Sequence, residues 1–361
     1  MPRKRKLTVV DLFCGCGGLS LGLSQAALSH GLDLDIVLAI DANKAATSIY
    51  EANFAPKAGR VKTIPIQDIF DAELDSALTN RELYLRGRSI EIDFLVAGPP
   101  CQGNSDLNNK TRRDDPRNHL YLYCLRATRV YMPKVVLIEN VPTVVHSKQH
   151  VVQKTREYLR KNGYFVSEFE ANFLKMGVPQ SRKRHILLAC QNEKLLQKLV
   201  EADLGYSEST TLGDSIYDLQ NEVDLEDLML RPGRLSQDNI ARVEYLFEKG
   251  LYELPDELRP PCHRDKAHSY KSIYGRLRWD QPAQTLTSGF GSMGQGRYIH
   301  PSKKRTITPR EAARIQGFPD SFRFDAITKI TILREILANA VPPALTKGVA
   351  SKYLTEVFDV G

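Results

Sequence analysis

The residues of this chain best suited to chemistry stand just behind short apolar runs. Cys101 follows Ile92–Ala97 through two prolines in LVAGPPCQGNSDL, Asp11 sits near the end of Leu7–Phe13, Asp41 follows Ile36–Ile40, and Glu139 and Asn140 follow Val135–Ile138. Arg182 and Arg184 lie just before the run His185–Cys190. A single acid behind a strand is most often a cap or a solvated turn, and an isolated cysteine is most often buried filler. Convergence sets these residues apart. If the runs are parallel strands of one open sheet, their carboxyl ends share the edge where such sheets bind ligands. An antiparallel last strand would bring Arg182 and Arg184 to the same crevice. A thiol, several acids and a pair of guanidiniums would then face one place, a set able to form a covalent bond, move a proton and stabilise developing charge.

The stretch DLFCGCGGLSLG supplies the rest of that crevice, with glycines at 15, 17, 18 and 22. A dinucleotide fingerprint needs a third glycine where Ser20 stands, so pyrophosphate binding fails. What remains is a tight turn that lets a ligand approach the backbone, with Phe13 at its rim. Asp41, placed where such folds carry a ribose-binding acid, suits two ribose hydroxyls. An adenosine without a diphosphate fits these parts. S-adenosylmethionine is the common cofactor of that description, and Phe13 can face its sulfonium through a cation–π contact.

The elements that must position these residues are legible as alternating apolar runs and amphipathic segments. Strands are expected at Leu7–Phe13, Ile36–Ile40, Ile92–Ala97 and Val135–Ile138, with a shorter one at Val61–Ile64, and helices at Lys44–Asn53 and Val151–Lys161. YFVSEFEANFLKMGVPQSRKRHILLAC has no room for a crossover helix, so its two strands should form an antiparallel hairpin. The expected fold is an α/β, doubly wound sheet with an antiparallel edge strand. The pattern weakens beyond residue 190, and the expected division is 1–190 with 327–361 as one domain and 191–326 as a smaller, irregular one.

Bulk properties agree with a soluble chain. Its 361 residues can bury a sizeable core, and a formal net charge of +7 is compatible with a nucleic-acid partner. No apolar run reaches the ~18 residues that a membrane span needs, and the apolar part of the basic amino terminus reaches Asp11 too soon for a signal peptide. A cytoplasmic protein is therefore expected. Six cysteines suggest neither a disulfide framework nor a four-ligand zinc site, since Cys262, His263 and His268 would still lack a fourth ligand. No metal is expected.

Taken in order, the motifs resemble those of the DNA (cytosine-5) methyltransferases. DLFCGCGGLSLG looks like the family's first cofactor motif, GPPCQGNS like its Pro-Cys motif, ENV at 139–141 like that of its glutamate, and QSRKRHIL at 180–187 like its arginine motif. TPREAARIQGFPDSF at 308–322 and NAVPP at 339–343 match its two late motifs. Six motifs in order are far more specific than any one. The resemblance implies the class I S-adenosylmethionine-dependent, Rossmann-like fold, with Cys101 attacking C6 of a flipped cytosine. Glu139 would hold the N3 and N4 edge, while Arg182 and Arg184 support base and loop, Arg184 at O2. It also implies Phe13, Gly15, Gly18, Leu19, Asp41, Asp68, Pro99, Asn339 and Val341 around S-adenosylmethionine.

The chemistry accounts for these residue types. Cytosine C5 is a poor nucleophile until a thiolate adds at C6, and the charge that builds at N3 needs a proton or a strong donor. A base must leave the duplex for this, at a cost of a few kcal/mol. The loop after Cys101, with Lys110, Arg112, Arg113 and Arg117, is read as the lid that closes on DNA. Region 191–326 would be the target-recognition domain, where Thr285 and Leu286 resemble a phosphate-contacting pair. Ser105, Arg117, Arg276, Arg278, Thr285 and Arg297 are the candidates for DNA contacts.

Asn104 stands where the family commonly has Phe, and Ala338 where Gly is usual. The nearest alternative, the tRNA branch of the fold, carries a Cys-Phe-Thr segment that is absent here. A catalytically silent DNA-binding protein is the other, and the intact chemical positions argue against it. The expected partner is double-stranded DNA, with a cognate restriction endonuclease acting separately. The expected state is a monomer associated with the nucleoid.

Overall fold

Near-continuous apolar runs such as FLVA and VVLI are what a parallel sheet covered on both faces requires. In the computed structural model, which describes residues 6–87, 91–100, 119–201, 210–264 and 272–358, they form a seven-stranded sheet. Its strands are β1 (Lys6–Leu12), β2 (Asp33–Asp41), β3 (Val61–Thr63), β4 (Phe94–Ala97), β5 (Val135–Asn140), β6 (Phe165–Asn172) and β7 (Lys183–Cys190), in the order β3-β2-β1-β4-β5-β7-β6. The first five run parallel, and β7 runs antiparallel to both β5 and β6. The expected antiparallel pair thus makes one edge of the sheet, with β6 outermost.

The chain divides into two compact units: residues 1–172, 183–205 and 343–361, and residues 173–182 and 206–342. The first unit holds the sheet with helices α1 (Gly18–Ser29), α2 (Lys44–Phe54), α3 (Asn80–Arg86), α4 (Leu120–Tyr131), α5 (Val151–Lys161) and α6 (Glu193–Glu201). In the second lie α7 (Leu212–Ile216), α8 (Gln237–Glu248), α9 (Pro261–Arg264), α10 (Pro309–Ile315) and α11 (Ile330–Asn339), after which α12 (Ala344–Phe358) returns to the first.

On one face of the sheet Tyr121 and Leu125 of α4 and Leu159 of α5 pack with Val10, Leu12, Leu95 and Ile138. On the other, Tyr353 of α12 meets Phe94 edge-on, ring centres 5.0 Å apart, and its hydroxyl donates to Asp93 at 2.8 Å. α1 and α12 touch through backbone: the Thr346 hydroxyl donates to the Leu19 carbonyl at 2.7 Å.

These boundaries differ from the expected cuts at 190 and 327. Leu196 and Leu199 of α6 are buried, and the helix packs on β6 and β7, which extends the first unit to 205. The hairpin connection 173–182 joins the second unit instead, as does α11. That unit has little regular structure. Isolated bridges pair Gln180 with Ala283 and Ile299 with both Arg276 and Thr306, over a core that includes Val243, Leu246, Ile273 and Met293. α10 opens on a capping box between Thr308 and Glu311 with Pro309 in its first turn, as TPRE leads one to expect.

Candidate active site

The register sets Leu12 beside Ile40 and Ala97, and Ala97 beside Ile138, so the chain leaves β1, β2, β4 and β5 at one edge. Behind β1 it turns through Phe13 (φ 55°), Gly15 (φ 53°) and Gly17 (φ 98°) into α1. A non-glycine residue such as Phe13 held in that region costs about 1 kcal/mol or more. The turn is clamped from β2: Cys14 N–H donates to the Ile40 carbonyl, and Gly15 N–H donates to Asp41 Oδ2, both at 2.9 Å. Asn43 N–H takes Asp41 Oδ1 at 2.8 Å. Burial pushes the Asp41 carboxyl up, while the bonds from Asn43 and Gly15 act the other way. A Cβ at Gly15 would meet nothing within 4 Å, so space lies open there, whereas at Gly17 it would come within 2.3 Å of the Phe54 ring.

Asp11, fully buried, is a second feature of this edge. Ser20 Oγ donates to its Oδ2 at 2.6 Å and lies 2.7 Å from Tyr50 Oη. Its Oδ1 is buried with no partner among the described residues. Burial pushes the carboxyl up to about 7, with the Ser20 bond opposing and the Asp41 charge adding. A buried, unmatched acceptor beside an open glycine turn suits an adenosine with a cationic end. Gly18 opens α1, the Leu19 side chain is buried, and Asp68 is exposed, its carbonyl accepting from Arg81.

At the neighbouring strand ends, Asn140 Nδ2 donates to the Pro99 carbonyl at 3.2 Å, and Asn140 Oδ1 accepts from Val141 N–H at 2.9 Å. The two elements that carry the Pro-Cys and Glu-Asn motifs are thereby joined. Glu139 is buried, and Arg184 Nε lies 2.9 Å from its Oε1. Cys101, Asn104, Ser105, Lys110, Arg112, Arg113 and Arg117 lie outside the described residues. Among those described, no group of three or more His, Cys, Asp or Glu is placed to hold a metal ion. Nor is any helix long and apolar enough to cross a membrane.

In the second unit, buried Arg182 donates to the Ala338 carbonyl at 3.1 Å. Gln180 joins three motifs: its amide donates to Gln316 Oε1 at 2.9 Å, its carbonyl accepts from Leu286 N–H at 3.0 Å, and Gln316 donates to the Leu337 carbonyl at 2.7 Å. Thr285 donates to the Ser181 carbonyl at 3.2 Å. Asn339, the last residue of α11, is exposed, and Val341 is half-buried. Arg276 is buried between the rings of Phe247 and Tyr252, and Arg297 is paired with Glu253 at 2.6 Å.

The family model for C-5 cytosine-specific DNA methylase matches residues 7–355. The chain belongs to this family. A relative among the curated proteins, the Type II methyltransferase M1.BsuMI of Bacillus subtilis, is 43% identical over 94% of this chain and 78% of its own. Another, the Type II methylase M.HgiDII of Herpetosiphon aurantiacus, is 30% identical over 95% and 93%. The solved Dnmt2 methyltransferase of S. pombe shares the fold, with a TM-score of 0.65 at 21% identity over 98% of this chain and all (100%) of that one.

This DNA (cytosine-5) methyltransferase has the expected α/β sheet with an antiparallel pair at one edge. Two kinds of residue escaped the sequence. Ser20 and Tyr50, which hold Asp11, and Gln180 and Gln316, which tie the second unit together, have no chemistry of their own to advertise. Ser20, Gln180 and Gln316 do lie inside the quoted motifs, which is the one signal that could have found them. Arg276 and Arg297 already have partners in this structure, the first beside the rings of Phe247 and Tyr252 and the second paired with Glu253.

Proposed function

We propose that this methyltransferase modifies one cytosine of a specific duplex sequence through a covalent bond between Cys101 and C6. The observation that carries the reading is the bond from Asn140 to the Pro99 carbonyl, two residues before Cys101, at the strand end where Glu139 and Arg184 pair. The Cys101 thiolate adds to C6 of an extrahelical cytosine. Glu139 places a proton at N3 and Arg184 donates to O2, while Arg182 supports the loop. S-adenosylmethionine supplies, when bound, the electrophilic methyl group toward which the adduct's C5 is nucleophilic. Loss of the C5 proton and rupture of the C6–S bond then return Cys101 and 5-methylcytosine.

The residues that would hold the cofactor are Phe13, Gly15, Gly18, Leu19, Asp41, Asp68 and Pro99, with Asn339 and Val341 added by the family resemblance. The open space over Gly15 and the unmatched oxygen of Asp11 support that reading. The second unit, with Thr285 near its surface, serves as the target-recognition domain, and Ser105 and Arg117 contact DNA from the lid. The two Type II relatives support a role beside a separate restriction endonuclease; the enzyme is read as a cytoplasmic monomer.

The test begins by mapping 5-methylcytosine in duplex DNA incubated with enzyme and S-adenosylmethionine. A duplex with 5-fluorocytosine at the mapped position should then trap the wild-type enzyme as a denaturant-stable complex, because fluorine cannot leave C5 as a proton does. Cys101→Ser should form none and transfer no label. Methyl transfer by Cys101→Ser, or label on tRNA and none on duplex DNA, would overturn the proposal.

A further inference from the structure

We infer that Arg278 reads a guanine in the methylated sequence, an inference that rests on the second unit being the target-recognition domain. Arg276 Cζ stands 4.5 Å from the Phe247 ring centre and 4.3 Å from that of Tyr252, and Arg278 Cζ stands 3.9 Å from Tyr252. Tyr252 thus meets both guanidiniums, and Arg278 stands at the end of this stack of rings and cations. Backbone bonds hold the stack: Arg276 N–H donates to the Tyr252 carbonyl, and Leu277 N–H to that of Ile299, each at 2.8 Å.

The neighbouring arginines are committed. Arg276 is buried, and Arg297 spends its donors on Glu253 (2.6 Å) and on the carbonyls of Tyr252 (3.2 Å) and Arg276 (3.3 Å). Arg278 is different. It is half-buried, and its N–H groups have no acceptor among the described residues. It lines a groove of ≈ 380 Å³ with Ser181, Gln281, Gln284 and the Glu253–Arg297 pair. The groove thus offers a ring-stacked cation whose donor fork has no acceptor among the described residues, flanked by two amides and an ion pair. Guanine presents O6 and N7 side by side to such a fork in the major groove, and the pairing is the commonest specific arginine contact with DNA. A guanidinium seated on a ring has a restricted range of orientations, which favours the edge of a planar base over a phosphate that accepts from many directions.

The experiment compares wild type, Arg278→Ala and Arg278→Lys on duplexes randomised around the target cytosine, reading methylated sites by sequencing. For a variant too slow to methylate, affinity selection from the same library gives the same readout. Wild type should require a guanine at one position where Arg278→Ala accepts any base, discrimination there falling by about 10- to 100-fold. Arg278→Lys keeps the charge but not the fork and should relax the same position. Substituting 7-deazaguanine there should weaken wild type and leave Arg278→Ala unaffected. An equal loss on all sequences with a shallower salt dependence would make the contact a phosphate and overturn the inference. So would an unchanged motif. Thr285→Val separates this from failure of the domain assignment: weakened duplex binding by that variant with an unchanged Arg278→Ala motif sinks the arginine alone. Unaltered binding and motif in both would sink the assignment as well.

Discussion

Asn140 spends both ends of its amide on backbone, one on Pro99 and one on Val141. Pro99 lies two residues before Cys101, the nucleophile of the proposed reaction, so misplacing it should act on rate more than on substrate binding. Asn140→Ala is expected to lower the single-turnover methylation rate by about 100-fold, since a shift on the order of 1 Å costs that much. Stability should fall by only about 1–2 kcal/mol. Rapid-quench kinetics beside urea denaturation would check both, and an unchanged rate would remove Asn140 from the site.

Asp11 makes a prediction about pH. Its carboxyl is held up to about 7 by burial in the folded chain, while the ordinary value of 3.8 applies when unfolded, so the folded state binds the proton more tightly. The stability this confers is complete below pH ~4 and is lost as pH rises to about 7, with a limit on the order of 4 kcal/mol. Asp11→Asn should remove that slope. Denaturation curves from pH 4 to 8 that are parallel in the two proteins would contradict it.

Among the elements, α4 shows how a buried charge places a helix. Arg126 is almost wholly buried and donates to both oxygens of Glu82, at 2.6 and 2.5 Å, and to the carbonyls of Glu73, Leu74, Ser76 and Ala77. One guanidinium thus fastens α4, the first described element after Cys101, to the segment that leads into α3. Arg126→Ala leaves Glu82 buried and unpaired, and should cost about 3–5 kcal/mol. A loss below 1 kcal/mol in urea titration would show that the pair is not buried in solution. α1 poses the opposite constraint, close approach without charge. A Cβ on Gly22 would come within 2.1 Å of the Pro343 carbonyl and 2.2 Å of Thr346 Oγ1, so Gly22→Ala should destabilise by about 1–3 kcal/mol.

For the whole molecule, the weave of the chain between units decides what can fold alone. Residues 191–326 were the stretch that pattern alone marked as a domain. They lack Gln180, which bridges to Ala283 and binds Leu286, and they lack α11, whose Leu333, Ile336 and Leu337 are buried. A fragment of 191–326 is therefore expected to show no cooperative thermal transition by circular dichroism. A sharp one would restore the simpler boundaries.

By itself the sequence determined the sheet and the family. β1, β2, β4 and β5 are buried on both faces over most of their length, so their apolar runs are nearly continuous, and the helix Val151–Lys161 keeps a clear period. The motif residues were legible because a methyltransferase's chemistry demands particular atoms in a particular order. Only tertiary structure decided which like residues differ in use. Arg276, Arg278 and Arg297 are equivalent as letters. The first is buried against two rings, the last is paired to Glu253, and the middle one has no acceptor for its N–H groups among the described residues. Their partners lie up to 45 positions away, as Tyr252 does from Arg297. Contacts at that separation come from packing in a unit of loops and isolated bridges, where no local period records which side chain faces inward.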